Sequence, residues 1–115
     1  MAERAPIKVT VVKEGTAVVV LPEGDIGYHE APSFRQYLRA GLDQKPSRVV
    51  VDLASVPYMA TPGLATLVEA LQGSKKTQIP LVLCCLNDRV RGIFEIARLH
   101  TVFKIVATRA DALAV

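Results

Sequence analysis

Tryptophan is absent from this sequence of 115 residues, and aromatic residues of every kind make up only 5% of it. Proteins that read single-stranded nucleic acid stack its bases on aromatic side chains, so this scarcity argues against direct nucleic-acid binding. Cysteine is nearly as rare: the two present, Cys84 and Cys85, are adjacent. Neighbours in sequence rarely form a disulfide, and no second pair exists to complete a zinc site. Their setting, LVLCCL, reads as a buried strand in which reduced cysteine acts as a small hydrophobe, in keeping with a reducing compartment. No apolar run approaches the ~20 residues that span a bilayer. The opening MAERAP lacks the hydrophobic stretch of an export signal, so a cytoplasmic protein is expected.

Enzyme signatures are missing too. The sequence contains no GxGxxG, no GxxxxGK[ST] and no GxSxG. His29 and His100 stand alone, without an i+4 histidine partner, and Glu30 beside His29 does not complete a metal motif. Asp25, Glu30 and Asp52 are scattered over loop and strand ends rather than paired. No enzymatic activity, cofactor or metal is therefore expected.

What is present is a chain 50% hydrophobic and 22% charged, of a length that buries roughly two-thirds of its unfolded surface in one domain over residues 1–115. The net charge of +3 is uneven. Residues 1–70 carry seven Lys/Arg against eight Asp/Glu, and residues 71–115 seven against three. A solvated basic face accounts for that excess.

Ile7, Val9 and Val11 alternate with Lys8 and Thr10, the period-2 mark of a half-buried strand. Glu14-Gly15 supplies a turn into a second strand over 16–21, which predicts an antiparallel hairpin. Ala31, Phe34, Leu38 and Leu42 then recur at helical spacing, with Pro32 in the first turn, where a missing N–H costs nothing. The run over 48–53, RVVVDL, is β-branched and almost continuously apolar, as in a central strand covered on both faces. Leu64, Leu67, Val68 and Leu71 mark a second helix, and Gly73 falls where its C-cap would lie. A strand is expected over 79–86. Asn87 caps a helix whose inner face is Val90, Ile93, Phe94 and Ala97. A last strand over 102–106 precedes a short helix opened by Thr108 and Asp111. The order ββαβαβαβα predicts an α/β fold: an N-terminal hairpin, then parallel strands joined by right-handed crossovers, flanked by about four helices.

The turn after the third strand invites two readings. Thr61 as N-cap and Pro62 at N1 make a good helix start, which alone explains both residues. Yet the loop after a parallel strand's carboxyl end, at a helix N-terminus, is also the usual binding edge of an open α/β sheet. A hydroxyl there is accessible to a kinase. A phosphate on it would gain helix-dipole stabilisation and free N–H donors, while presenting a docked partner with a charge near −2.

Three segments carry a family resemblance over about residues 7–112. VVVDLASVPYMATPGLATLVEAL resembles the signature of STAS domains, the anti-sigma-factor antagonists also found on sulfate transporters. LNDRVRGIFEIARLHTVFKI and LPEGDIGYHEAPSFRQYL are similar to the family's other two recognisable segments, in the same order. The resemblance implies a STAS-like domain and a bacterial phospho-switch. Unphosphorylated, such an antagonist binds an anti-sigma factor that is itself a serine/threonine kinase using ATP, which frees the sigma factor. Phosphorylation before the second helix releases the antagonist, and a phosphatase resets it. Carried onto this chain, the acceptor is Thr61, and the partner-binding positions are Asp25, Tyr28, Met59, Ala60, Gly63 and Leu64. A monomer or weak homodimer acting on transcription only through proteins is the implied form.

The sequence departs from the family in two places. Ala60 and Pro62 stand where the family commonly has Asp and Ser, and Gly27 stands where its early loop ends in Asp. These departures support an alternative: a STAS adaptor that is never phosphorylated, serving a signalling scaffold or transporter complex.

Overall fold

A computed structural model of the chain describes residues 7–115. The expectation drawn from MAERAP therefore lies outside the described residues. Among those described are five strands and four helices: β1 Lys8–Glu14, β2 Ala17–Glu23, α1 Ala31–Asp43, β3 Val49–Asp52, α2 Thr61–Thr77, β4 Leu81–Cys84, α3 Asp88–Ile96, β5 Lys104–Val106 and α4 Arg109–Ala114.

The strands lie side by side in chain order, β1-β2-β3-β4-β5. β1 and β2 form the antiparallel hairpin around Gly15, whose φ of +64° suits a residue without a side chain. β2, β3, β4 and β5 pair in parallel. When consecutive parallel strands are neighbours and every crossover is right-handed, all crossover helices fall on one face. The core follows that rule. Phe34 and Leu38 of α1, Leu67 and Leu71 of α2, and Val90 and Phe94 of α3 pack with Val18, Val20, Val49, Val51 and Leu83. The alternate residues Val19, Val50, Val82 and Cys84 face the other way, against Ala112 of α4. With both faces covered, Val49–Asp52 is buried throughout.

Element ends differ from the sequence reading in instructive ways. α2 does not stop at Gly73. It runs to Thr77 and ends on Gln78 in the left-handed region, so Gly73 sits mid-helix, where a Cβ would meet Leu42 of α1 only at an ordinary 3.5 Å. β4 is shorter than expected, because Cys85 takes a φ of +64° and leaves the ladder. β5 begins only at Lys104, since the N–H groups of Val102 and Phe103 donate to the Leu99 carbonyl in a turn. β2 instead runs on to Glu23, with Pro22 opposite Val9 beyond the stretch paired to β3. Ala97 is exposed at the C-cap of α3 rather than on its inner face. Asn87 and Thr108 do cap their helices, accepting from the N–H of Val90 at 2.7 Å and of Asp111 at 3.0 Å.

Candidate functional site

At the carboxyl end of β2 and β3, two loops are laced together. The Gly24 N–H donates to the Ser55 carbonyl, the Ile26 N–H to the Tyr58 carbonyl, and the Ala60 N–H back to the Ile26 carbonyl. Ile26 and Met59 thus form a parallel bridge that prolongs the β2–β3 pairing past the strands. A loop fixed by backbone bonds at three levels is a rigid base for the helix that follows.

Gly63, in the first turn of α2, lies against that bridge. A Cβ on it would stand 2.6 Å from Met59 Cγ and 2.9 Å from Ile26 Cγ2. Only glycine lets the helix start so close to the loops. Thr61 is not the N-cap expected from sequence. The extended residue before the helix is Ala60, which makes no side-chain cap bond, so Thr61 is the first helical residue and Pro62 the second. The Thr61 side chain is exposed. The expected supply of free amide donors is also reduced. Pro62 has none, and the N–H groups of Gly63 and Leu64 both donate to the Ala60 carbonyl.

The other predicted positions divide into two layers. Asp25 and Tyr28 are exposed, Tyr28 by 80%, and Ala60 is partly exposed. Met59 is fully buried, and Gly63 and Leu64 are buried as well. The first group is open to solvent with Thr61; of the second, Met59 and Gly63 pack together beneath the start of α2. Beside them a groove between α1 and α2 is lined by Tyr28, Pro32, Arg35, Pro62 and Ala65.

Three residues were not read as contributors to this site from sequence. The Glu30 carboxylate accepts from the Gly27 N–H at 2.9 Å, which brings a carboxylate to Gly27 on the loop that already carries Asp25. Arg89 of α3 stacks over the Tyr58 ring, 4.8 Å from its centre. Asn87 donates to the Val56 carbonyl at 3.1 Å while capping α3, tying the β3–α2 loop to the next crossover. The nearest available sequence signal was the segment LND, read only as a helix start.

On the opposite face, Arg109 joins α4 to the sheet. Its Nε–H donates to Asp52 Oδ2 at 3.1 Å and its Nη1 to Glu14 Oε2 at 3.3 Å. These partners hold the guanidinium still more firmly protonated. Burial, reinforced by the adjacent Cys85 thiol and the Asp52 carboxylate, pushes the Cys84 thiol far above its ordinary range. Burial raises Cys85 in the same direction.

The structure is thus a single α/β domain whose mixed sheet carries a pair of bridged loops with the exposed Thr61 at their edge. The STAS domain family matches residues 8–112. The chain belongs to that family. Its relatives include BtrV of Bordetella bronchiseptica, 29% identical over 108 residues that cover 94% of this chain and 93% of BtrV. The anti-sigma-B factor antagonist of Listeria monocytogenes is 32% identical over 82 residues, 71% of this chain and 72% of that protein. Among solved structures, an anti-sigma factor antagonist from Mycobacterium paratuberculosis has a TM-score of 0.87 at 23% identity, covering 99% of this chain and 97% of its own. The Bacillus cell fate determinant SpoIIAA, in its phosphorylated form, has a TM-score of 0.70 at 14% identity, covering 94% and 96%. At these identities the solved structures establish the shared fold. No helix among the described residues is long and apolar enough to cross a membrane.

Proposed function

We propose that this chain is an anti-sigma-factor antagonist that binds an anti-sigma factor of the serine/threonine kinase type, and that phosphorylation of Thr61 by that kinase releases it. The observation that carries this reading is the placement of Thr61. Its hydroxyl is exposed at the first residue of α2, on loops that backbone hydrogen bonds hold rigid. The relatives named as anti-sigma factor antagonists, and the phosphorylated form of SpoIIAA, support it.

The partner docks over Asp25, Tyr28 and Ala60, with the α1–α2 groove beside them, while Met59, Gly63 and Leu64 keep that surface in shape. A phosphate on Thr61 gains the helix dipole but finds few amides in the first turn, so its charge stays directed outward at the partner. Glu30 supplies acidity near the site in place of the carboxylate absent at Gly27. A phosphatase returns the chain to its binding form, and transcription responds only through the sigma factor.

The test is to titrate the chain and its Thr61→Asp variant into the purified anti-sigma factor by calorimetry. Tenfold or more weaker binding by Thr61→Asp, about 1.4 kcal/mol, is expected. Equal affinities with an intact fold would contradict the switch and favour the adaptor that is never phosphorylated.

A further inference from the structure

Where β3 and β4 end beneath α4, one carboxylate and two thiols converge. Asp52 and Cys84 are register partners in parallel strands, so their side chains leave the sheet on the same face. Strand alternation would send the next residue, Cys85, to the opposite face. Cys85 instead turns into the left-handed region at φ +64°, which non-glycine residues seldom occupy. As a result its sulfur, the Cys84 sulfur and an Asp52 carboxylate oxygen all lie within 4.8 Å of one another.

We propose that Asp52, Cys84 and Cys85 form a binding site for one thiophilic divalent cation. Two sulfurs and a carboxylate oxygen are a donor set suited to zinc-like ions, and three protein ligands leave a fourth position for water. On binding, each sulfur exchanges its proton for the cation and the two protons pass to solvent. Two thiolates and Asp52 bring three negative charges against the divalent cation and the Arg109 guanidinium, and Glu14, which shares Arg109, lies at the exposed margin.

The supporting bonds are already made. Asp52 Oδ1 accepts the Ala54 N–H at 3.0 Å, and Oδ2 accepts the Arg109 Nε–H at 3.1 Å. A carboxylate has about four lone-pair directions, so both oxygens keep capacity for a cation while these donors fix their orientation. Cys84 and Asp52 are buried and exclude bulk water, whereas the partly exposed Cys85 leaves a way in. Counting cysteines could not find this site, because its third donor arrives through strand register from a distant part of the chain.

The experiment uses the full reduced chain and Cd²⁺ alone, followed by sulfur-to-cadmium charge-transfer absorption and by calorimetry. One equivalent bound with a dithiolate band is expected. Cys85→Ser, at the partly exposed position, should lose about half of the band at saturation and bind at least about tenfold more weakly, and Asp52→Asn should keep the band but also bind about tenfold more weakly. The urea-unfolded chain, which retains the Cys-Cys pair without Asp52 beside it, should likewise bind more weakly than the folded one. Circular dichroism verifies the fold of each variant, with Cys85→Ala replacing Cys85→Ser if the latter does not fold. Absence of a thiolate band in the native chain at several-fold excess would overturn the proposal. So would unchanged affinity in the Cys85 variant, or equal affinity of the folded and unfolded chains.

Discussion

Gly63 lies against Ile26 with no room for a side chain: a single carbon added to Gly63 would come within 2.9 Å of Ile26 Cγ2 and 3.1 Å of the Ile26 carbonyl oxygen. The start of α2 is thereby seated directly on the loop after β2. The exposed Thr61 inherits its position from that contact, two residues before Gly63.

The Gly63→Ala variant should accordingly be destabilised by about 1–3 kcal/mol, the usual cost of forcing an extra methyl into a packed site. Denaturant unfolding of the purified chain measures this. The same substitution at Gly92, where a Cβ meets nothing within 4 Å, should leave the packing undisturbed and raise stability by up to about 1 kcal/mol through helix propensity. Equal effects at the two glycines would contradict the close seating of α2.

Thr61→Ala separates a cap from an exposed first-turn residue. Because Ala60 is the N-cap, loss of the Thr61 hydroxyl should change stability by less than about 0.5 kcal/mol. Thr108→Ala and Asn87→Ala remove real caps and should each cost about 1 kcal/mol. Asn87→Ala should cost the more, since it also releases the Val56 carbonyl. A loss of 1 kcal/mol or more in Thr61→Ala would restore the purely structural reading of that residue.

Cys84 predicts how stability responds to alkali. Its thiol binds a proton more tightly in the folded chain than in the unfolded one, where its ordinary value is 9.0. The contribution is fully present below about pH 9 and is lost as pH rises beyond it, because only the unfolded chain then ionises. The unfolding free energy of the wild type should fall between pH 8.5 and 10.5, the downward trend being shallower in Cys84→Ala whatever that variant's absolute stability. Parallel profiles would contradict the burial of this thiol.

Much of this architecture was legible in the sequence for identifiable reasons. Val49, Val50 and Val51 announced a strand covered on both sides because no polar residue interrupts them. Asn87 and Thr108 announced helix starts because a short polar side chain ahead of an apolar repeat has few other uses. What escaped depends on contacts between distant residues. Gly73 resembled a helix stop, but the left-handed turn that ends α2 falls five residues later, on Gln78. Met59 was placed on the contact surface by the family resemblance, yet its bridge to Ile26 draws it fully inside. The Glu30–Gly27 bond and the left-handed turn at Cys85 leave no periodic trace, so neither could be read from local pattern.

The central claim concerns Thr61, and it is tested most directly on the protein from its own cells. Intact mass and peptide mapping of the chain isolated from growing and from stressed cells would locate any phosphate. The account predicts one phosphate on Thr61 whose occupancy changes with condition. An unmodified Thr61 in every condition, or a phosphate carried only elsewhere, would contradict it.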